Sequence, residues 1–123
     1  MRIAIASDDG NTIASHFGRT RGFVIFDVDR SSGEIKGKKY LRNTFTGHAV
    51  GRHSPDRGHG SILEALKGCK VVIAGGMGRR AYDDLRGAGL EVFITRESSV
   101  EGAVSSYLKG ELDSDPERTC AHP

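Results

Sequence analysis

The sequence predicts a single α/β domain of 123 residues. Residues 71–74 form a short apolar run and residues 90–95 resemble it, a pattern typical of buried parallel strands. A helical pattern follows each run, so the second half of the chain consists of two βα units. The first half holds strand patterns that are joined by turn residues, which predicts an antiparallel part of the same sheet.

Three strands are predicted before residue 45. Residues 2–7 (RIAIAS) alternate and end in Asp8-Asp9-Gly10, a typical turn. Residues 22–29 and residues 34–43 are the second and third strands, and residues 30–33 (RSSG) are the hairpin that connects them.

Three helices are predicted after them. Ser61-Ile62-Leu63-Glu64 is a capping-box pattern, and Gly68 is a suitable helix end. Residues 78–88 form the second helix. Ser98-Ser99-Val100-Glu101 is another capping box, with a buried stripe made of Val100, Val104, Tyr107 and Leu108. We expect one domain over residues 1–112 and a flexible tail over residues 113–123.

This order of elements fixes where the loops lie. A hairpin reverses the direction of the chain, so the strands on either side of it are antiparallel. In a βα unit the helix brings the chain back to the end where the strand began, so the next strand is parallel to the previous one. The end where the first strand finishes is called the top edge. Residues 7–21, 44–60, 75–80 and 95–99 are then all expected there, and open α/β sheets bind ligands at the carboxyl ends of their parallel strands.

Composition and charge narrow the class of function. The formal net charge of +2 is too small to predict a nucleic-acid binder, although residues 19–57 hold nine Lys/Arg against four Asp/Glu. Two cysteines do not form a disulfide framework, and Cys69 beside an apolar run is expected to be buried. No signal peptide or membrane-spanning run is visible. These features favour a cytoplasmic protein that binds neither nucleic acid nor membrane. We also expect a monomer or weak dimer.

The glycine turn at residues 75–81 (GGMGRRA) is the first candidate site. It follows a strand and opens a helix, so free N–H groups and the helix dipole favour an anion there, and Arg79 and Arg80 add positive charge. Gly76, Gly78 and Ala81 also match a dinucleotide fingerprint, a weak signal in itself. The alternative is a tight turn with two solvated arginines.

Histidines and a cysteine supply further candidates. His16, near Arg19 in the first top loop, can ligate a metal or donate to an anion, or it can cap a loop carbonyl, while Phe17 is expected in the core. The segment 44–60 carries His48, His53 and His59 at spacings that match no standard zinc site, so it is either a ligand-closing loop or a mobile one. Cys120 and His122 are good ligands for soft metals, on a tail that begins at the bottom of the sheet.

Metal-dependent hydrolysis is not expected. Asp8 and Asp9 belong at the top edge, whereas Asp27 and Asp29 belong near the bottom, so the four carboxylates should not converge on a metal pair. A nuclease function on this scaffold is therefore a weak alternative.

Four segments (MRIAIASDDG, SHFGR, VVIAGGMGRRA and SSVEGAVSSYLKGEL) together resemble the dinitrogenase iron–molybdenum cofactor-binding family. This family includes nitrogenase cofactor accessory and carrier proteins and the orange protein of anaerobes. The resemblance implies a three-layer ribonuclease H-like motif, with a mixed five-stranded sheet in the order 3-2-1-4-5, an antiparallel second strand and helices on both faces.

The resemblance also implies a function without turnover. The ligand would be an iron–molybdenum or molybdenum–copper sulfide cluster, held weakly or without covalent bonds, and the partners would be client or assembly proteins. The loop histidine of the family maps to His16 and its glycine turn to Gly75, Gly76 and Gly78. We expect the cluster-binding set to be His16, Arg19, His53, Gly75, Gly76, Met77, Gly78 and Arg79, and the metal ligands to come from His16, His48, His53, His59, Cys120 and His122. The other interpretation is an anion- or nucleotide-responsive interaction protein.

Overall fold

The protein was analysed as a computed structural model, which describes residues 1–17, 20–29, 31–42, 66 and 68–115. The five strands are β1 (Arg2–Ser7), β2 (Gly22–Val28), β3 (Ile35–Arg42), β4 (Cys69–Ala74) and β5 (Glu91–Ile94). The two helices of this part of the chain are α1 (Arg79–Gly87) and α2 (Val100–Leu108). Each lies within two residues of its predicted bounds, whereas most of the helix predicted at residues 61–68 falls outside the described residues.

One mixed sheet organises these elements, in the order β3-β2-β1-β4-β5. The strand β2 is antiparallel to both β1 and β3, and β4 is parallel to both β1 and β5. The implied strand order and the deduced strand directions are both confirmed. The carboxyl ends of β1, β4 and β5 therefore share the top edge.

Apolar side chains divide between the two faces of the sheet, because successive residues of a strand point to opposite sides. On one face, Ala4 and Val72 pack with Leu85 of α1. On the other face, Ile3 and Ile73 pack with Val104 of α2. The result is three layers, with a helix on each face of the sheet. Cys69 is buried among the apolar residues on the α1 face, as predicted, and this burial raises the pKa of its thiol.

The start of α2 differs from the prediction by one residue. The N-cap is Ser99, whose hydroxyl accepts a hydrogen bond from the Gly102 N–H at 3.1 Å. Glu101 therefore stands one position too early for the reciprocal contact of a capping box, and its carboxylate bonds to Lys38 of β3 at 3.0 Å. Two adjacent serines allow either register in the sequence, and the structure adopts the one in which Ser99 is the N-cap and Val100 is buried.

The chain after α2 returns to the top edge. Asp115 donates its N–H to the carbonyl of Ile94 at 2.9 Å, and the hydroxyl of Ser114 accepts from the Ile94 N–H at 3.1 Å. Asp115, the last residue that the structure describes, therefore lies at the top edge. In the described ranges, no helix is long and apolar enough to cross a membrane.

Candidate functional site

Hydrogen bonds that involve the side chains of Ser7 and Asp9 stabilise the first top loop, which follows β1. The hydroxyl of Ser7, at the end of β1, accepts from the Gly10 N–H at 2.8 Å and donates to the Thr12 carbonyl at 2.6 Å. The carboxylate of Asp9 accepts the N–H groups of Asn11 and Thr12, both at 2.8 Å. These bonds stabilise the charged form, so the pKa of Asp9 falls to about 2. The predicted turn is therefore a hydrogen-bonded cap that directs the following residues across the sheet.

That loop then joins the two other described loops of the top edge. The Gly75 N–H donates to the Ala14 carbonyl at 2.9 Å, and the Phe17 N–H donates to the Gly76 carbonyl at 2.8 Å. Further along, the Ile13 N–H donates to the Ser98 carbonyl at 2.8 Å. The loops that follow β1, β4 and β5 thus form one hydrogen-bonded surface, which we call the top-edge surface. The expected convergence of these loops is observed, while residues 44–60 fall outside the described part of the chain.

The three glycines of the turn after β4 have different roles. A Cβ atom at Gly76 would lie 2.7 Å from the Ser15 carbonyl oxygen, and one at Gly75 would lie 3.0 Å from the Ala14 carbonyl oxygen. Both residues are glycine because the first loop crosses directly over them. A Cβ atom at Gly78 would meet nothing within 4 Å. Of the three, Gly78 is therefore the glycine whose Cβ position is unobstructed by the residues that the structure describes.

The helix α1 begins directly after Gly78. Gly78 is the N-cap, with no side-chain hydrogen bond to the helix, and the first turn holds no acidic residue. The N–H groups of a first helical turn have no partner within the helix, so they attract an anion. Arg79 and Arg80 are exposed at the same turn, and Arg79 lies 3.5 Å from Asp83 in a solvent-exposed pair. Within the described ranges, the arrangement is a positively charged helix end without a side-chain cap.

His16 stands beside this helix end, one residue before Phe17, which bonds to Gly76. It is half-buried, with its Nδ1 atom inside the protein. Phe17 is in the core, as predicted, with its ring centroid 5.4 Å from that of Phe23. The buried phenylalanine fixes the loop, so the main chain of His16 is held next to the glycine turn, between Ser15 and Phe17.

Met77 differs from its neighbours in the expected binding set. The residue has no exposed surface and packs in the core on the α1 face. A strand-to-helix turn has to bury one side chain in order to anchor the helix, and Met77 serves that purpose here. It supports the turn from below and offers no surface to a ligand.

The carboxylates do not converge, as predicted. Asp27 is paired with Arg2 at the opposite end of the sheet from Ser7, which leads into Asp8. The Asp8 carboxylate accepts the Arg21 N–H at 2.8 Å, and the Asp29 carboxylate accepts the Ser31 N–H at 2.9 Å. The described residues contain no group of three His, Cys, Asp or Glu side chains that could hold a metal ion.

Two features of the top edge had no signal that we used in the sequence. Tyr40 lies flat over Gly22, and its hydroxyl donates to the Ser7 carbonyl at 3.1 Å, so it ties β3 to the first loop. Asp113 accepts the Arg96 N–H at 3.0 Å and the hydroxyl of Thr95. Thr95 follows an apolar strand and is buried. A buried hydroxyl group needs a hydrogen-bond partner, which was the only indication of a residue such as Asp113.

The remaining candidates lie outside the described residues. They are Arg19, His48, His53, His59, Cys120 and His122.

Comparison with known proteins identifies the family of this chain. The model of the family described as "Dinitrogenase iron-molybdenum cofactor" matches residues 1–110. An uncharacterized protein of Methanocaldococcus jannaschii is 30% identical over 115 residues, covering 92% of this chain and 90% of its own. The FeMo cofactor biosynthesis protein NifB of Azotobacter vinelandii is 28% identical over 89 residues, which cover 72% of this chain but 18% of that protein. Protein NifX of Rhodobacter capsulatus is 29% identical over 119 residues, or 94% of this chain and 72% of NifX.

Solved structures agree on the fold. The crystal structure of PH0822 superposes with a TM-score of 0.72 and 26% identity, covering 94% of this chain and 96% of that one. The apo form of the orange protein from Desulfovibrio gigas gives a TM-score of 0.64 with 24% identity, covering 93% of this chain and 92% of that one.

Proposed function

The chain belongs to the dinitrogenase iron-molybdenum cofactor family, and from this premise we propose that it binds an anionic metal–sulfur cluster at the top-edge surface and carries or stores it without chemical turnover. The cluster is of the iron–molybdenum or the molybdenum–copper sulfide type. The proposed partners are the proteins that assemble or receive such a cluster, and the proposed location is the cytoplasm.

The open amino end of α1 beside His16 is the observation that carries the proposal. A sulfide cluster is a bulky, weakly hydrated anion, so N–H groups and guanidinium groups can surround it without strong bonds. Gly78 leaves room for it, Arg79 and Arg80 supply positive charge, and the His16 imidazole supplies a donor or a single soft ligand. A ligand held in this way can be released intact, as a carrier requires.

Residues outside the described ranges complete the proposed site. Arg19 follows His16 by three positions, and His48, His53 and His59 belong to a segment that leaves the top end of β3. Cys120 and His122 follow Asp115, which is at the same edge. We assign the cluster-binding role to His16, Arg19, His53, Gly78 and Arg79. Gly75 and Gly76 support this set by letting the first loop cross the turn, and the other histidines and Cys120 are proposed as further metal ligands.

The nucleotide alternative fits the glycine turn less well. In a dinucleotide site, glycines let a pyrophosphate approach the turn closely. Here the Cβ positions of Gly75 and Gly76 are already occupied by the main chain of residues 14 and 15. The open part of the turn is thus the helix end alone, which suits a compact anion better than an extended dinucleotide.

Anaerobic reconstitution tests the proposal. The protein is mixed with tetrathiomolybdate, with and without copper or iron, and desalted before its metal, sulfide and visible absorption are measured. We expect a retained cluster with charge-transfer bands, and several-fold lower retention in His16→Ala and Arg79→Ala. Arg86→Ala is the matched control, because Arg86 is an exposed arginine in the last turn of the same helix. Loss of all metal from the natural protein on the desalting column would overturn the proposal.

A further inference from the structure

The two edges of the sheet are built differently. At one edge, β5 has four residues, and its outer side is occupied because Ile94 donates its N–H to the Ser114 hydroxyl and accepts the Asp115 N–H at its carbonyl. At the other edge, β3 has eight residues, and in the described ranges no strand pairs with its outer side. Proteins usually keep an edge strand short or cover it, since its unpaired main chain can bind another strand. The edge at β3 is therefore the place where a further strand can add to the sheet.

The two exposed large apolar side chains of the described residues both lie on β3. Ile35 is 41% exposed and Tyr40 is 45% exposed. Their partners on β2 are Val28 and Val24, which belong to the core on the α2 face, so both side chains stand on that face of the sheet. Side chains of neighbouring strands on the same face contact each other. A strand added to β3 would therefore cover these two apolar groups.

The protein itself holds both apolar side chains in place. The ring of Tyr40 lies over Gly22, where a Cβ atom would collide with it. Ile35 lines a groove together with Val104 and Leu108 of α2. Because these side chains are already ordered by contacts on one side, a partner that covers their other side loses less conformational entropy on binding.

The same strand is strongly basic. It carries four cationic side chains and no carboxylate, namely Lys36, Lys38, Lys39 and Arg42. Lys38 pairs with Phe26 of β2, and its ammonium group lies 5.8 Å from the centre of that ring, so it stands on the α2 face between the two apolar side chains. Lys39 follows on the opposite face, where its partner on β2 is Ile25.

Carboxylates of the chain itself balance only part of this charge. Lys36 lies 3.4 Å from Asp29, and Lys38 lies 3.0 Å from Glu101 of α2. Exposed pairs of this kind contribute little energy, so these lysines can accept a further carboxylate. Lys39 is exposed and forms no ion pair with the residues that the structure describes.

The charge of β3 decides which kind of chain suits this edge. A second copy of β3 would place lysines opposite lysines, and like charges in opposite positions destabilise a strand pair. Lysines on an edge strand are for this reason a common protection against self-association. Protection alone does not account for the exposed apolar pair beside them. A segment with carboxylates opposite the lysines and apolar side chains opposite Tyr40 and Ile35 matches both features.

We propose that β3 is a docking edge for an extended acidic segment of a partner protein, which adds to the sheet as a further strand. Main-chain hydrogen bonds hold the segment along β3, its carboxylates face Lys38 and Lys39, and its apolar side chains cover Tyr40 and Ile35. This interaction goes beyond the proposed function, and it can be tested without any cluster.

A fluorescent peptide of the sequence Val-Thr-Glu-Glu-Val-Thr is the probe. Fluorescence anisotropy measures its affinity for the full chain, and amide chemical shifts of the isotope-labelled protein locate it. We expect the shift changes to concentrate on β3. Affinity should fall several-fold when lysines replace the two glutamates, and also when the main-chain N–H groups of the peptide are methylated. No binding of the acidic peptide, shift changes centred elsewhere, or equal binding of the methylated peptide would overturn the proposal.

Charge reversal on the protein supplies the matched pair of variants. Lys39→Glu should weaken binding of the acidic peptide several-fold and strengthen binding of the lysine peptide. Lys70→Glu is the control, because Lys70 is also an exposed lysine on a strand but belongs to β4, and it should bind like the natural protein. If both variants weaken binding equally, the overall charge attracts the peptide and the proposal fails.

Ile35→Thr tests the apolar contact without a change of charge. This variant should weaken binding of the acidic peptide several-fold, while the preference for glutamate over lysine in the peptide remains. Two other occupants of the edge are distinguished in the same experiments. A concentration-dependent dimer with shift changes along β3, or an oligothymidylate that binds β3 as tightly as the acidic peptide, would overturn the proposal.

Discussion

The three glycines of the turn after β4 have different structural roles, although they belong to one sequence motif. The glycine turn after β4 matches a phosphate-binding pattern in sequence, yet Gly75 and Gly76 are required by the loop that crosses them. Gly78 is the member whose Cβ position has no described atom within 4 Å. The sequence contains all three glycines but does not tell which one meets protein and which one meets open space, because that depends on a loop sixty residues earlier.

Alanine substitutions distinguish these roles. Gly76→Ala places a Cβ atom 2.7 Å from a main-chain oxygen, so we expect a loss of about 1–3 kcal/mol in the free energy of unfolding, the usual cost of overpacking. Gly78→Ala should change the free energy of unfolding by less than about 1 kcal/mol, since its φ of −67° suits alanine. Urea unfolding of both variants checks this, and equal losses would contradict the separation of roles.

At the scale of elements, strands were easier to predict than helix starts. The alternating and apolar runs predicted all five strands, because the period of a strand shows within a few residues. The start of α2 was predicted one residue early, because Ser98 and Ser99 are equivalent in composition and the choice depends on which register buries Val100. Glu97, whose carboxylate accepts the N–H groups of Ser98 and Ser99, was missed for the same reason.

The cap of α2 can be tested with the two adjacent serines. Ser99→Ala removes the hydroxyl that accepts from the Gly102 N–H, which should lower the free energy of unfolding by about 1 kcal/mol. Ser98→Ala is the matched control and should be nearly neutral, because Ser98 is exposed and bonds to Ile13 and Glu97 through its main chain. Thermal unfolding of the pair measures the difference. If Ser98→Ala lowered the free energy of unfolding more than Ser99→Ala, Ser98 would be the N-cap, as the capping-box pattern predicts.

For the whole molecule, the position of the loops was predicted mainly from the order and directions of the strands. Hairpins and βα units determine strand directions, and these directions alone placed the loops after β1, β4 and β5 on one edge. The strand order came from the family resemblance, and it is confirmed. Residue patterns did not give the path after α2, because Asp113 contacts Thr95 across a distance of 18 residues with no local periodicity.

The finding that three loops depend on a charged aspartate leads to a prediction about acid stability. Asp9 holds the first top loop, Asp29 holds the β2–β3 turn and Asp113 holds the start of the loop between β5 and α2. The hydrogen bonds of these three residues lower the pKa of each carboxyl group. A carboxyl group whose pKa is lower in the folded state stabilises the protein above its unfolded pKa, and this contribution is lost as the pH falls through the folded pKa. For Asp9 that window lies between 3.8 and about 2.

We therefore expect that these groups leave the free energy of unfolding unchanged from neutral pH down to about pH 5. Below about pH 4, their protonation should lower it steeply. The measurement is the urea midpoint at a series of pH values, for the natural protein and for a variant that combines Asp9→Asn with Asp29→Asn. The variant should be less stable at neutral pH, yet lose less on acidification, because its loops no longer contain the titrating carboxylates. Asp27→Asn is the matched control, since Asp27 is exposed on β2 and caps no turn in the part of the chain that the structure describes. Parallel acid curves for the natural protein and the double variant would show that Asp9 and Asp29 do not control acid unfolding.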